Sequence, residues 1–177
     1  MQMLPQDPET TATLRDGTPI ALRPVRAEDE PLLKDLFAHL SREDVRLRFF
    51  APIRELSPTL TDRLSRLDDR RQMALIAQHN EMTAGAASYF TEPGTRRAEF
   101  AITVRTDWHG RGVGYLLLTR RIEVARQAGI DELFGAILRE NRPMLAICRK
   151  LGFVTVRDPD DASVAHVRKV LSPTDVR

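Results

Sequence analysis

The sequence predicts a mixed α/β domain, and three observations carry that reading. Short apolar blocks rich in β-branched residues stand near both ends and in the middle of the chain. Between them lie blocks with apolar residues every three or four positions. The two periods follow one another as β, a cluster of helices, a β meander, then αβαβ. A length of 177 residues suits one domain with a core of its own, expected over 11–172 behind a flexible polar tail at 1–10.

Residues 11–15 and 19–23 read as strands flanking Asp16-Gly17, a two-residue hairpin signal. Glu28, Asp29 and Glu30 suit the N-terminus of a helix whose apolar face is Leu32, Leu33, Leu36, Phe37 and Leu40. Ser41 and Asp44 form a variant capping box for a second helix ending at Phe49-Phe50. Ser57-Pro58 opens a third, carrying Leu60, Leu64 and Leu67. From Arg71 the period changes: 73–77 and 84–90 pair as strands across Asn80-Glu81, and 96–105 is the next strand. Residues 112–128 are helical and stop at Ala128-Gly129. A strand at 133–138, a helix opened by Asn141 and closed at Leu151-Gly152, and strands at 153–156 and 164–171 complete the sheet.

Composition excludes several classes of function. The net charge is only +2, and the basic residues are dispersed rather than gathered in a stripe, which argues against nucleic acid. No apolar run approaches the roughly 18 residues of a membrane span, and the first residues lack a signal peptide's basic and apolar regions, so neither a membrane nor a secreted protein is expected. The one cysteine, Cys148, precludes an internal disulfide and fits a reducing, cytoplasmic location. No cluster of His, Cys and carboxylates has metal-ligand spacing, so no metal is expected.

The chemistry concentrates after the strand that ends at Val104. Gly110, Gly112 and Gly114 stand on alternate positions and lead into a helix. A helix N-terminus offers unpaired N–H groups and partial positive charge, and glycines let a phosphate approach closely. The Walker loop is excluded, because no Lys-Ser or Lys-Thr follows. The Gly-x-Gly-x-x-Gly dinucleotide fingerprint fails too, since its last position falls on Tyr115 or Leu117. What remains is a different anion loop, or a ligand-free strand–helix connection.

The stretch from His109 to Gly114 resembles the pyrophosphate loop of the GNAT N-acetyltransferase superfamily, Gln/Arg-x-x-Gly-x-Gly/Ala, with His109 in the place of the usual Gln or Arg. About 30 residues on, Asn141 opens a helix that ends in Leu151-Gly152-Phe153, a second superfamily feature in the right order. The resemblance covers roughly residues 18–171. Through the stretch 22–30 and through Leu47-Arg48-Phe49-Phe50, the chain looks like the acetyltransferase domain of bacterial protein lysine acetyltransferases. It implies a GNAT-like acyl-CoA N-acyltransferase fold, a central, mostly antiparallel sheet flanked by helices. It also implies acetyl-CoA as cosubstrate and a primary amine as acceptor, a protein lysine being favoured. A small-molecule amine or amino-acid acceptor, or a non-catalytic acetyl-CoA-sensing role, are the alternatives. A homodimer is compatible with it.

Acetyl transfer to an amine needs the amine deprotonated. A free lysine with a pKa near 10.4 is neutral only about once in 10³ molecules at pH 7, a handicap of about 4 kcal/mol that a base within reach removes. Glu99 is the candidate base. By alternation it shares a strand face with the small residues Ala101 and Thr103, and it matches the catalytic Glu that the resemblance implies. The alternative is a glutamate on an edge strand, paired with Arg96 or Arg97. The resemblance further implies that the backbone N–H groups of His109, Gly110, Arg111, Gly112, Val113 and Gly114 hold the pyrophosphate. Ile102 and Val104 would offer main-chain bonds to the pantetheine arm, and Asn141 a further contact, besides capping its own helix. Arg111 and Arg105 would add positive charge toward the phosphates, and Trp108 would pack beneath the loop. Many members carry a proton-donating Tyr where this chain has Cys148, which is expected to be a packed thiol.

Overall fold

The computed structural model describes residues 8–50 and 72–172, and the helix expected from Ser57-Pro58 lies outside them. The β-branched blocks form strands β1 (Thr10–Thr13), β2 (Pro19–Pro24), β3 (Gln72–His79), β4 (Met82–Thr91), β5 (Arg97–Val104), β6 (Glu132–Leu138), β7 (Val154–Arg157) and β8 (Val164–Val170). The helical blocks form α1 (Glu30–Ala38), α2 (Arg42–Phe49), α3 (Val113–Gln127) and α4 (Arg142–Lys150). All eight strands join one sheet in the order β1-β2-β3-β4-β5-β6-β8-β7. Every neighbouring pair is antiparallel except β5–β6. The expected mixed α/β, mostly antiparallel architecture is therefore the observed one.

The first hairpin turns differently from its Asp-Gly signal. Leu14 donates to the Thr18 carbonyl (2.8 Å) and Gly17 to the Leu14 carbonyl (2.9 Å), which leaves a three-residue loop with Gly17 at φ +85°. A β-turn followed by one left-handed residue is the usual three-residue solution, and Asp16 reinforces it by accepting the Thr18 amide at 2.9 Å. The second hairpin does turn on Asn80 and Glu81, with His79 opposite Met82.

Helices cover both faces of the sheet. On one face, Leu33 of α1 packs with Val25, Ala74 and Ile76. On the other, α3 and α4 cover Phe100, Leu133, Ile137 and Val167 with Leu118, Ile122 and Cys148. Each fully buried Leu or Ile contributes roughly 1.5–3 kcal/mol. Gly85 of β4 lets α3 come close. A Cβ there would lie 2.8 Å from the Thr103 carbonyl and 3.0 Å from Leu117 Cδ1.

The feature that positions the site is the parallel pair. Its register holds only for Arg97↔Glu132, Ala98↔Leu133 and Glu99↔Phe134. Past Glu99 the strands part, and β6 continues its ladder with β8 alone, as far as Leu138 opposite Val164. Gly135 gives the Phe100 ring room just beyond the fork, since a Cβ there would stand 3.1 Å from the ring.

Candidate active site

A cleft of about 1220 Å³ opens at the fork. Its walls come from β5 (Ile102, Val104), from β6 (Ala136, Ile137) and from α4 (Met144, Ile147). Antiparallel pairing alternates the direction of main-chain groups, and Arg105 donates to the Ala84 carbonyl on β4. The main-chain groups of Ile102 and Val104 therefore point the opposite way, into the gap that β6 has left.

At one end of the cleft stands the glycine loop. Gly110 (φ +74°) and Gly112 (φ +93°) both occupy the left-handed region, and Gly112 is the N-cap of α3. Leu116 N–H is the first in α3 to reach back, donating to the Gly112 carbonyl at 3.0 Å, so the amides of Val113, Gly114 and Tyr115 lie in the unpaired first turn. Gly114 serves packing instead, because a Cβ there would meet Ile147 at 3.2 Å and Val104 at 3.6 Å.

His109 is bound inward. Its Nε2 donates to the Val104 carbonyl at 3.1 Å and stands 3.7 Å from Asp44. Of the main-chain groups expected to meet a ligand, the Val104 carbonyl is thus already engaged, and so, against expectation, is the His109 amide, which donates to the Thr106 carbonyl at 3.2 Å as the 3-10 turn at Thr106–Trp108 closes. Asp44 in turn accepts the Thr106 hydroxyl, which accepts the Ser41 amide at 2.8 Å. These bonds tie the N-terminus of α2 to the segment that leads into the loop.

The Arg111 side chain is engaged with the first hairpin rather than left available for a phosphate. Its guanidinium bonds Asp16 (2.8 Å) and Thr18 (2.7 Å) and stacks 3.9 Å from the Trp108 ring centroid. Bonding by Thr18, and then by Arg111, lowers the Asp16 pKa to about 2. The expected added charge is therefore spent on clamping the first hairpin to the loop. Arg105 is likewise taken up, by Asp107 at 2.8 Å and Asp35 at 3.6 Å. Trp108 is buried beneath the loop, where its packing role lies.

At the fork itself stands Glu99, solvent-exposed and lining the cleft. Strand β5 runs between β4 and β6, so it is not an edge strand. The two arginines that the sequence offers as partners for Glu99 are occupied elsewhere. Arg97 bonds Glu92 (3.0 Å) and Glu132 (2.9 Å), and Arg96 pairs with Asp131 (3.1 Å). On the same sheet face, Ser88 opposite Ala101 and Ala86 opposite Thr103 make a floor of small side chains beneath α1 and α2.

Asn141 lies in the cleft and caps α4, its Oδ1 accepting the Met144 amide at 3.3 Å, which leaves the amide nitrogen of its side chain for a ligand. The preceding Glu140 holds Arg46 of α2 at 2.7 Å across the fork. Cys148 is fully buried, and burial pushes its thiol up to about 12. Sequence reasoning gave no role to Arg48, Tyr115 or Lys150, which also line the cleft. The signal available for Arg48 was its place in the Leu47–Phe50 stretch, read only as a family likeness.

A parted strand pair with a glycine loop at one end and, among the described residues, a carboxylate without a hydrogen bond at the other fits an acyl-CoA N-acyltransferase. The chain belongs to the GNAT acetyltransferases: the family described as acetyltransferase (GNAT) domain matches residues 20–154. An acetyltransferase of Pseudomonas aeruginosa is 33% identical over 155 residues, covering 85% of this chain and 83% of that one. The crystal structure of the GNAT domain of PAT from S. lividans superposes with a TM-score of 0.86 at 27% identity, covering 92% of this chain and 97% of that chain. Spermidine N-acetyltransferase from Vibrio cholerae, solved with CoA and spermine, shares the fold at a TM-score of 0.72 and 15% identity, over 86% of this chain and 96% of that one. The protein is an acetyl-CoA-dependent N-acetyltransferase, and the non-catalytic sensor is set aside.

Proposed function

We propose that this enzyme acetylates a lysine side chain of a protein, with Glu99 as the base. The resemblance of residues 22–30 and 47–50 to the acetyltransferase domain of bacterial protein lysine acetyltransferases favours a protein acceptor, and the observation that carries the chemistry is Glu99 at the fork, clear of Arg96 and Arg97. The amine attacks the thioester carbonyl carbon, the C–S bond breaks, and the amine proton passes to Glu99 directly or through one water. CoA leaves as the thiolate, and Cys148, buried and protonated, takes no part. The amides of Gly110, Arg111, Gly112, Val113 and Gly114 receive the pyrophosphate, whereas the His109 amide, which donates to the Thr106 carbonyl at 3.2 Å, does not. Ile102, the Val104 amide and the Asn141 side-chain amide hold the pantetheine arm. A cytoplasmic location fits the lone unpaired thiol.

The test is a pair of pH–rate profiles with a lysine peptide. Glu99→Gln keeps shape and polarity but cannot accept a proton, so turnover falls by roughly 10²- to 10⁴-fold with acetyl-CoA affinity unchanged. The loss shrinks as pH rises toward the amine's own pKa, where free amine no longer needs help. Profiles of equal height and shape would remove Glu99 from the reaction.

A further inference from the structure

The described arginines of the site region already named have carboxylate partners: Arg46 with Glu140, Arg105 with Asp107 and Arg111 with Asp16. Arg48 is the exception. Its Nε donates to the Thr103 hydroxyl at 3.2 Å, and its guanidinium lies 4.7 Å from the Phe49 ring centroid. Among the described residues it makes no other hydrogen bond, and no carboxylate pairs with it. Burial draws its pKa down, and the charge of Glu99 opposes that shift. Arg48 lines the cleft and also a recess of about 40 Å³ behind Ala101 and Thr103, walled by Leu36, Phe37 and Phe49.

A guanidinium set among apolar side chains, holding one neutral hydroxyl, is a costly arrangement for the free protein. The planar fork of its terminal nitrogens matches a carboxylate. Arg48 also offsets the charge of Glu99, so this end of the cleft does not select for bare polycations. The two side chains together complement an amine accompanied by an acid.

We infer that Arg48 recognises a carboxylate on the acceptor, so that the lysine used is one flanked by an acidic residue. This rests on the lysine reading above and adds a substrate class to it. Two sources exist for such a carboxylate, the acceptor and the acyl chain, and the acceptor is favoured because Arg48 bonds Thr103 on the sheet face of Glu99, whereas α3 packs with Phe100 on the other face.

The experiment compares two peptides with the same central lysine, one with Glu and one with Gln at the flanking positions. The parent enzyme should use the Glu peptide with a kcat/KM about ten- to a hundredfold higher, the scale of a hydrogen bond to a charged group. Arg48→Gln should erase that ratio while acetyl-CoA affinity, read by calorimetry, stays the same. Arg48→Lys, which keeps the charge but not the fork, should keep part of the ratio, and melting curves establish that each variant is folded. Calorimetry of the two acetylated peptides in the presence of CoA gives the same comparison without turnover. Equal use and equal binding of the two peptides by the parent enzyme would overturn the inference. So would a ratio that survives in Arg48→Gln, or a preference for succinyl-CoA over acetyl-CoA, which would put the carboxylate on the acyl group. Turnover of the Gln peptide at the same rate leaves the lysine reading standing while this one falls. Failure of both peptides as substrates, with equal product binding, sinks both.

Discussion

Cys148 stands where the resemblance to the superfamily implies a tyrosine, yet its thiol lies in the core with Phe100, Phe153 and Val167. Removal from water pushes its pKa up to about 12, so the thiol stays protonated at neutral pH and is neither an accessible nucleophile nor a useful acid. Cys148→Ala should keep turnover within about tenfold and cost roughly 1 kcal/mol of stability through lost packing. The native parent protein should also resist alkylation by iodoacetamide until it is unfolded. A turnover loss beyond about 10²-fold in a folded Cys148→Ala enzyme would return the thiol to the mechanism. At this scale the sequence was informative about direction but not about partners. Two-residue alternation placed Glu99 with Ala101 and Thr103, while only the folded chain shows Arg97 held between Glu92 and Glu132.

Strands and helices carry the next level of constraint. The glycine loop is held from behind by the first hairpin, through Arg111, Asp16 and Trp108. Arg111 acts as a positioning residue for the loop amides, so Arg111→Ala and Asp16→Asn should each weaken acetyl-CoA binding by about five- to thirtyfold with kcat little changed. The double variant should be no worse than either single one, because both remove one interaction. The pH dependence follows from the lowered Asp16 pKa. The clamp is complete above the ordinary value of 3.8 and is lost as pH falls through about 2, so it does not vary across the neutral range. An Arg between two glycines reads in the sequence as a phosphate ligand. Nothing in the sequence pattern brings forward Asp16, 95 positions away, to claim it. Helix limits were more legible, because α2 and α4 start at side chains, Ser41 and Asn141, that cap them.

For the whole molecule, strand periodicity indicated a sheet, but strand order is a tertiary property. That β8 inserts between β6 and β7, and that one pair runs parallel, comes from packing rather than from any local period. Acetyl-CoA binding should stabilise the folded chain by mass action. At a hundred times the Kd the gain is about 2.7 kcal/mol, or roughly 5–10 °C in Tm. Gly112→Asp puts a like charge beside the phosphates and an L side chain at φ +93°, and should abolish that shift in a chain that still folds. An unchanged ligand shift in the variant would show that the loop is not the phosphate site. The fork has one more consequence. Among the described residues, the ladder between β5 and β6 holds three residue pairs, extended only by the Asp131 and Glu132 amides on the Arg96 carbonyl. A pantetheine arm held in the gap, as proposed above, would take the place of the missing ladder and become a structural member of the sheet. Each catalytic cycle would then close and reopen the same seam, leaving the protein mechanically a different object before and after its donor departs.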